Sequence, residues 1–241
     1  MGEHSQPHRV AAIVPAFNEE ETVADVAALL RGTPLVDEVI VVSDGSTDHT
    51  VPIARALGVK TIHLKRNHGK GVAMATGVAN TGADILVFVD GDILNLSHYL
   101  LGQLIEPVVS GRCDMNIGVR NRGWLLNLLH RRFGPLLSGI RCVRRDLFDA
   151  LPEAYLEGYR VEIALNWACR RLGRSCATTV LHDLKHRVKE RKRGLREGLR
   201  LRLSMFSSVF AGYVGLRLSP PDLRPSGAPA QAQPELEYIN F

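Results

Sequence analysis

Short apolar runs recur at intervals of roughly 25 residues along the first 90 positions, with amphipathic stretches between them. A run of four to eight apolar, β-branched residues predicts a buried strand, and a longer stretch with a 3.6-residue repeat predicts a helix. The predicted strands are 10–14, 36–43, 60–64 and 85–90, and the predicted helices are 23–30, 51–57 and 72–80. This alternation predicts an α/β fold with a mostly parallel, doubly wound sheet and helices on both faces.

Two residues mark the ends of the first elements. Pro15 has no N–H to donate, so it is expected to stop the first strand, and Thr22 is the predicted N-cap of the first helix. Beyond residue 95 the pattern is less regular. It predicts helices at 97–104, 124–137, 146–151 and 158–172, and strands at 114–119, within 138–145 and at 175–180. One domain is therefore expected over residues 9–182, after a flexible terminus at 1–8.

A polar loop follows the end of each predicted strand in the first half. Because the carboxyl ends of parallel strands share one edge of a sheet, these loops are expected to border a single crevice. The side chains concerned are Asn18, Glu19, Asp44, Lys70, Asp90 and Asp92. Each alone has an ordinary explanation as a turn residue, a helix cap or a solvated lysine. Their convergence on one edge indicates a binding site.

The strongest candidate chemistry lies in residues 85–92, where a fully apolar run leads directly into Asp90-Gly91-Asp92. In an extended backbone, residues i and i+2 point the same way, so the two carboxylates are able to converge. Hard oxygen donors of this kind suit Mg²⁺ or Mn²⁺, and through the metal a diphosphate. The alternative is an acidic strand end followed by an Asp-Gly turn.

Four motifs, VPAFNEEE, DGSTDHT, NHGKGVAMATG and VDGD, occur in order over residues 9–120. The series resembles the nucleotide-sugar-binding half of family 2 glycosyltransferases, which implies the Rossmann-like GT-A fold. The resemblance implies that Lys70 lies near the ribose or phosphates and that Asp90-Gly91-Asp92 is the DxD metal motif. It also implies a nucleotide-binding set that consists of Pro15, Ala16, Phe17, Asn18, Glu19 and Asp44.

The second half, residues 121–182, has a looser resemblance. GYRVEIAL is similar to a segment of glucosyl- and mannosyl-3-phosphoglycerate synthases, and more distantly to polyprenyl-phosphate glycosyltransferases. Glu162 occupies the position of a catalytic carboxylate, but Ile163 interrupts the usual Glu-Asp pair, and a helix acid is the alternative. The same resemblance implies that a histidine completes the metal site. His186, which precedes an arginine, is the better match, and His182 is the rival.

The net charge of +5 is concentrated in residues 185–202, which carry nine Lys or Arg against two Glu, so the rest of the chain has a net charge of −2. Across residues 183–218 the apolar positions form one stripe of a helix: Val188, Leu195, Leu199, Leu203, Phe206 and Phe210. A basic amphipathic helix suits an anionic membrane surface. The alternative is packing on the domain or on a partner copy in a homodimer.

The remaining features point to a cytoplasmic protein, peripheral on the inner face of the cell membrane. The four cysteines show no CxxC or metal-ligand spacing, which favours a reduced setting. The N-terminus shows no signal-peptide pattern, and no apolar run reaches the ~18 residues that a membrane span needs. Residues 219–241 contain five prolines and are predicted to be a disordered tail.

The predicted function is metal-dependent transfer of a sugar from a nucleotide-diphosphate sugar, with UDP-glucose as first choice and Asp92 and Glu162 as catalytic residues. The acceptor is either lipid-linked or a small phosphorylated acid such as 3-phosphoglycerate. The residues assigned to it are Ser138, Gly139, Arg141, Arg144, Arg145 and Tyr159. Two rivals are a nucleic-acid-binding protein that uses residues 185–202, and a Mg²⁺-dependent phosphatase. The first leaves the crevice unexplained, and the second expects its aspartate on the first strand.

Overall fold

The computed structural model of the chain describes residues 8–120, 138–156, 160–182, 184–186, 215–216, 221–224 and 238–239. In its first half, strands and helices alternate. The strands are β1 (Val10–Ala16), β2 (Glu38–Asp44), β3 (Lys60–Leu64) and β4 (Ile85–Phe88). The helices are α1 (Val23–Arg31), α2 (Thr50–Ala56) and α3 (Lys70–Ala79). Every element predicted for this half is confirmed, with its ends within two residues.

The second half adds shorter strands. They are β5 (Ile93–Leu94), β6 (Met115–Arg120), β7 (Arg141–Arg144), β8 (Cys176–Leu181), β9 (Lys185–His186) and β10 (Tyr238–Ile239). The helices are α4 (His98–Val109), α5 (Arg145–Asp149) and α6 (Arg160–Arg171), and Glu153–Tyr155 forms a 3₁₀ turn. The helix predicted at 124–137 lies outside the described residues. The strands β5, β9 and β10 were not predicted, because two residues carry no periodicity.

One eight-stranded sheet organises the described part of the chain, in the order β10-β3-β2-β1-β4-β7-β6-β8. Strands β1 to β4 are mutually parallel, and β6 is parallel to β8. Strand β7 is antiparallel to both of its neighbours, β4 and β6, and β10 is antiparallel to β3. Six of these strands therefore run in one direction. Because β7 runs the opposite way, the residues just before it lie at the edge where β1, β2 and β4 end.

The core forms one layer on each face of this sheet, as a doubly wound fold requires. Helices α1, α2 and α4 cover one face, where they pack on alternate residues of β1 such as Ala12 and Val14. Helices α3, α5 and α6 cover the other face and pack on Ile13 and Phe88. The ring of Phe88 lies 5.4 Å from that of Phe148, centroid to centroid. Apolar side chains fill both layers, so a polar binding site is expected at an edge of the sheet.

Pro15 does not stop β1, contrary to the prediction, and the pairing of the strand explains why. Strand β1 pairs with β4 only as far as Ile13, but with β2 as far as Ala16. Alternate residues of a strand direct their N–H groups to opposite neighbours, and Ile13 faces β4, because its carbonyl accepts the N–H of Val89 at 3.2 Å. Pro15 therefore also faces β4, beyond the end of that ladder, where its missing N–H costs nothing.

Parts of the two C-terminal segments contact the domain, and most of both segments lies outside the described residues, where the helix and the disordered tail stay predictions. Within 183–218, predicted to be helical, residues Lys185–His186 are a strand paired with β5, and Leu216 packs on Ile163 of α6. Within 219–241, predicted to be disordered, the N–H of Arg224 donates to the carbonyl of Ala150 at 3.1 Å, and β10 extends the main sheet. Prolines disfavour long helices and central strands, but they are compatible with single hydrogen bonds and short edge strands of this kind.

Candidate active site

The loops after β1 and β2 are joined into one wall at the carboxyl edge of the sheet. Asn18 adopts a positive φ of 55°, which asparagine tolerates, and its side-chain oxygen accepts the N–H of Thr47 at 2.9 Å. In return its own N–H donates to Ser46 Oγ at 3.1 Å. The N–H of Glu19, a buried residue, donates to Thr50 Oγ1 at 2.8 Å. The predicted nucleotide-binding loop is therefore held by the neighbouring loop as well as by the start of its own helix, where the N–H of Val23 donates to the Glu19 carbonyl at 2.9 Å.

Asp44 ends β2 and holds the loop between β3 and α3. Its two carboxylate oxygens accept the N–H groups of His68 and Gly69, each at 2.8 Å. Burial raises the pKa of Asp44, and these two hydrogen bonds oppose the rise. The next residue, Gly45, has a φ of 72°, and a Cβ there would overlap the backbone of Arg66 and Asn67. Asp44 thus positions the backbone of the loop that leads to Lys70.

The Asp90-Gly91-Asp92 loop rests on the start of α1. The Thr22 hydroxyl donates to the Gly91 carbonyl at 2.7 Å, a contact between residues 69 positions apart. Thr22 is the N-cap residue of α1, but its side chain makes no capping hydrogen bond to the helix. A Cβ on Gly91 would lie 3.3 Å from the Cβ of Ala16, so the loop also packs tightly against the end of β1. The Thr22 hydroxyl therefore holds the Asp90-Gly91-Asp92 loop instead of capping helix α1.

Thr22→Val is expected to loosen this loop while the rest of the domain stays folded. Valine keeps the shape of threonine but donates no hydrogen bond, so the buried Gly91 carbonyl loses a partner worth about 1–3 kcal/mol. Backbone amides of residues 89–94 should then exchange hydrogen faster in the variant, as measured by mass spectrometry. Thr22→Ser retains the donor and should match the wild type. Equal exchange in all three proteins would show that the hydroxyl does not hold the loop.

Lys70 lies between two carboxylates that come from distant parts of the chain. Its Nζ is 2.5 Å from Asp90 Oδ1 and 2.7 Å from Glu162 Oε1. Glu162 lies in the first turn of α6 and is 3% exposed. Burial acts to lower the pKa of Lys70, but the charges of Asp90 and Glu162 outweigh it and hold the pKa above its usual value. The lysine is therefore a permanent cation at the centre of the crevice.

Ser138 and Gly139, predicted to bind the acceptor, close the crevice beside this cluster. A Cβ on Gly139 would overlap both the Asp90 carboxylate and Lys70 Nζ, so only glycine fits there. The Ser138 hydroxyl donates to the carbonyl of Gly118, which ties the segment to β6. The two residues are consequently at the predicted site, where their backbone forms one wall. Tyr159, predicted to act with them, lies outside the described residues.

Arg141 is at the site but does not face it as an acceptor-binding residue. It is fully buried, and its guanidinium donates to the carbonyls of Ser138 at 2.7 Å and Glu162 at 3.2 Å. A third, longer hydrogen bond reaches Asn166 Oδ1 at 3.4 Å. Burial lowers the pKa of Arg141, and the Glu162 carboxylate opposes that shift. Arg141 therefore links the Ser138–Gly139 wall to the helix that presents Glu162.

Arg144 and Arg145 are not at the predicted acceptor site. Strand β7 runs away from the crevice, so Arg144 is paired with Ile85 at the far end of β4, roughly 10 Å from Arg141 at ~3.3 Å per residue. Arg145 donates to the carbonyls of Val78, Thr81 and Ala83 around the end of α3. Both were assigned on the expectation that neighbouring basic residues act together. An extended strand instead separates them.

The backbone places His186, rather than His182, beside the acidic loop. In the small sheet, His186 is the register partner of Ile93, the residue that follows Asp92. His182 instead lines a separate cavity of about 530 Å³ with Asn95, Ser97, Tyr99, Leu100, Gln103 and Val180. Asp92 itself is half-buried. Among the side chains that the structure describes, no three His, Cys, Asp or Glu residues form a metal site on their own. A metal ion at Asp90 and Asp92 would therefore need a further donor, from His186 or from a ligand.

Sequence reasoning assigned no site role to four residues that shape this crevice. Ser46 and Thr50 support the first loop, Thr22 anchors the acidic loop, and Asn166 contacts Arg141. Ser46 and Thr50 lie inside the DGSTDHT motif, so their position was a usable signal. Thr22 was interpreted as a helix cap, and Asn166 is one polar residue of an ordinary helix. For these two, only the fold identifies the partner.

Comparison with known proteins relates the chain to a large enzyme family. The model of the glycosyl transferase family 2 matches residues 11–147. Glucosyl-3-phosphoglycerate synthase of Mycobacterium tuberculosis is 31% identical over 195 residues, which cover 65% of this chain and 59% of that relative. Dodecaprenyl-phosphate galacturonate synthase of Rhizobium johnstonii is 35% identical over 100 residues, which cover 37% of this chain and 30% of that relative. The chain thus spans less than two thirds of the length of these relatives.

Solved structures agree with the sequence matches. A crystal structure of the Mycobacterium tuberculosis glucosyl-3-phosphoglycerate synthase with Mn²⁺, UDP-glucose and phosphoglyceric acid superposes with a TM-score of 0.73 at 29% identity. The match covers 89% of this chain and 81% of that one. The same enzyme with Mg²⁺ and UDP gives the same TM-score. The similarity extends over both halves of the fold, and the predicted GT-A architecture is confirmed.

Proposed function

Because the chain belongs to the glycosyl transferase family 2, we propose that it transfers glucose from UDP-glucose to a small phosphorylated acceptor of the 3-phosphoglycerate type. The observation that carries this proposal is the cluster of Lys70, Asp90 and Glu162 beside Asp92, at the carboxyl edge of a parallel sheet. Ligands of such sheets bind at that edge. A relative with the same fold has been crystallised in complex with Mn²⁺, UDP-glucose and phosphoglyceric acid.

A divalent cation, Mn²⁺ or Mg²⁺, fits the donor set of this edge. Asp92 and Asp90 offer hard oxygen ligands, and the register of β9 brings His186 to the same loop. We assign the cation to these three residues, with Asp90 shared between it and Lys70. When bound, such a cation neutralises the charge that develops on a departing diphosphate.

The other residues of the cluster position and polarise the reactants. Lys70 provides a fixed positive charge next to Asp90, where a diphosphate would need one. Glu162 accepts a hydrogen bond from Lys70 at 2.7 Å, and in this proposal its carboxylate also accepts a hydrogen bond or a proton from the acceptor hydroxyl group. Arg141 does not touch ligands in this assignment. It holds the Glu162 backbone against the wall formed by Ser138 and Gly139.

A thermal-shift comparison tests the proposed donor and metal. UDP-glucose with Mn²⁺ is expected to raise the melting temperature, whereas GDP-mannose or dTDP-glucose should do so less. At a hundredfold excess over Kd the gain is about 2.7 kcal/mol, or roughly 5–10 °C for a domain of this size. His186→Ala should reduce the part of the melting-temperature shift that depends on Mn²⁺. His182→Ala, in the separate cavity, is its matched control. No shift with any nucleotide sugar would overturn the proposal.

A lipid-linked acceptor is the second candidate, favoured by the basic segment 185–202 and by the match to a dodecaprenyl-phosphate enzyme. That match covers 100 residues only, and the described residues 215–216 and 221–224 pack on the domain itself. Every helix in the described part of the chain falls short of what a bilayer crossing requires. The small soluble acceptor is therefore the first choice.

Liposome sedimentation distinguishes the two acceptor classes. For a small acceptor, the protein is expected to stay in the supernatant with vesicles that contain about a third anionic lipid, because no docking is needed. For a lipid acceptor, it should pellet at low salt and be released at high salt. The triple variant Arg193/Arg196/Arg200→Glu is the control, since it reverses three of the nine positive charges of residues 185–202. Salt-sensitive pelleting that this variant abolishes would favour the lipid acceptor.

A further inference from the structure

Two of the four cysteines lie side by side, away from the crevice. Cys169, in the last turn of α6, is 1% exposed, and Cys176, the first residue of β8, is exposed. The chain between them folds back, because the N–H of Arg174 donates to the Cys169 carbonyl at 2.9 Å and the Cys169 thiol donates to the Arg174 carbonyl at 3.4 Å. The connection is thus a tight turn that returns the chain to Cys169.

The sheet register then directs both thiols to the same side. Cys176 is paired with Met115 of β6, and paired residues of neighbouring strands point to the same face. Met115 belongs to the core layer that contains Cys169. On that face the two thiols lie close enough for each to shift the pKa of the other. Strand β8 is the last strand of the described sheet, so Cys176 remains accessible from its open side.

The surroundings of the two thiols shift their pKa values in opposite directions. The neighbouring Cys169 thiol lowers the pKa of Cys176; burial opposes this, and the charges of Arg141 and Arg170 reinforce it. The neighbouring Cys176, followed by burial, raises the pKa of Cys169. Burial also raises the pKa of the other two cysteines, Cys113 and Cys142. Since the thiolate is the reactive form, Cys176 is the cysteine most disposed to react, with Cys169 beside it.

We propose that Cys176 and Cys169 form a modification site that hydroperoxides convert to a disulfide. The Cys176 thiolate attacks a peroxide oxygen, so that an S–O bond forms, the O–O bond breaks and the second oxygen leaves as water after protonation. Cys169 sulfur then attacks the sulfenic sulfur, the S–S bond forms, and the sulfenic oxygen leaves as a second water with the Cys169 proton. The two thiols lose two electrons, and one peroxide gains them.

The site is connected to the crevice through one helix. Glu162 lies seven residues before Cys169 in α6, so the two residues share a side of the helix about 10 Å apart. A disulfide between Cys169 and Cys176 ties the C-terminal end of α6 to β8, and α6 is the helix that presents Glu162 to Lys70. The modification itself does not depend on the proposed transfer reaction, and it is tested without substrate.

The test treats the native protein with a few equivalents of hydrogen peroxide, followed by unfolding in iodoacetamide, intact mass measurement and peptide mapping. The wild type should lose two of its four alkylatable thiols and yield a 169–176 cross-linked peptide. Cys113→Ser, a matched control that changes a buried cysteine nearby, should behave like the wild type. Cys176→Ser should keep its remaining thiols. Cys169→Ser should stop at a sulfenic acid on Cys176 that dimedone traps.

Several outcomes would overturn the proposal. They are a wild type that keeps all four thiols, a cross-link between Cys113 and Cys176 in its place, and oxidation of Cys176→Ser at the wild-type rate. Because Cys169 is buried, Cys169→Ser requires a check of its folding by circular dichroism. If that variant fails to fold, Cys169→Ala replaces it, and the cross-linked peptide of the wild type decides the pairing by itself.

Discussion

Asp92→Ala is expected to lower the kcat of sugar transfer by at least ~10³-fold while the protein stays folded. Asp92 is half-buried at the end of the loop that follows β4, so removing its carboxylate creates no cavity in either core layer. Its carboxylate is the ligand that we assign wholly to the divalent cation. Loss of that cation removes several kcal/mol of stabilisation from a departing diphosphate.

The measurement is steady-state transfer with UDP-glucose and Mn²⁺, together with the melting temperature of each variant. Asp84→Ala is the matched control, because Asp84 precedes the same strand at the opposite edge of the sheet, where its carboxylate accepts the N–H of Arg9 at 3.0 Å and lies 4.0 Å from His8 Nδ1. It should retain activity within about twofold, since effects of distant surface sites are small. Transfer by Asp92→Ala near the wild-type level would remove the metal-ligand assignment.

The first half of the fold was predictable because its signals are local. Strands β1, β2 and β4 are buried on both faces, so each contains a continuous apolar run, and the helices repeat apolar residues every three or four positions. Parallel order then requires the loops to meet at one edge. That rule correctly brought Asp90 and Lys70 together from positions twenty residues apart, and the structure places them 2.5 Å from each other.

The second half was less predictable because its signals depend on direction and on distant partners. Three neighbouring arginines in the sequence suggested one anion site, but the antiparallel course of β7 leaves only Arg141 at the crevice, and burial turns it inward. Likewise, a first-turn helix acid and a catalytic carboxylate look the same in sequence. Glu162 is distinguished only by the Lys70 amine 2.7 Å away, which lies 92 positions earlier in the chain.

Lys70→Met is expected to lower both stability and activity, because the lysine is the cation that two buried carboxylates share. The side chains of Lys70 and Glu162 are 16% and 5% exposed, so solvent screens their interaction only weakly. Breaking a buried pair by removing one partner costs about 3–5 kcal/mol, which corresponds to a melting temperature lower by roughly 10 °C. Asp90 loses the partner that fixes its orientation, and a displaced group of this kind costs about 10²-fold in rate.

The stability of Lys70→Met is also expected to depend on pH, in a direction that follows from the charge of the cluster. Lys70, Asp90 and Glu162 together carry −1, and the variant leaves −2 in the same space. Folded Lys70→Met therefore takes up a proton more readily than its unfolded chain does, so its stability rises as pH falls. Its deficit in melting temperature relative to the wild type should shrink as the pH is lowered. Lys60→Met, which removes the lysine of a surface pair with Glu38, should cost less than about 1 kcal/mol.

A double variant separates the structural role of Lys70 from its role in transfer. Lys70→Met/Glu162→Gln returns the cluster to −1, so it should regain much of the stability that Lys70→Met alone loses. It should not regain transfer, because both the cation beside Asp90 and the Glu162 carboxylate are then missing. Thermal melts and single-turnover transfer on the four proteins of this cycle provide the comparison. If the double variant is no more stable than Lys70→Met, packing of the lysine side chain, and not its charge, stabilises the crevice.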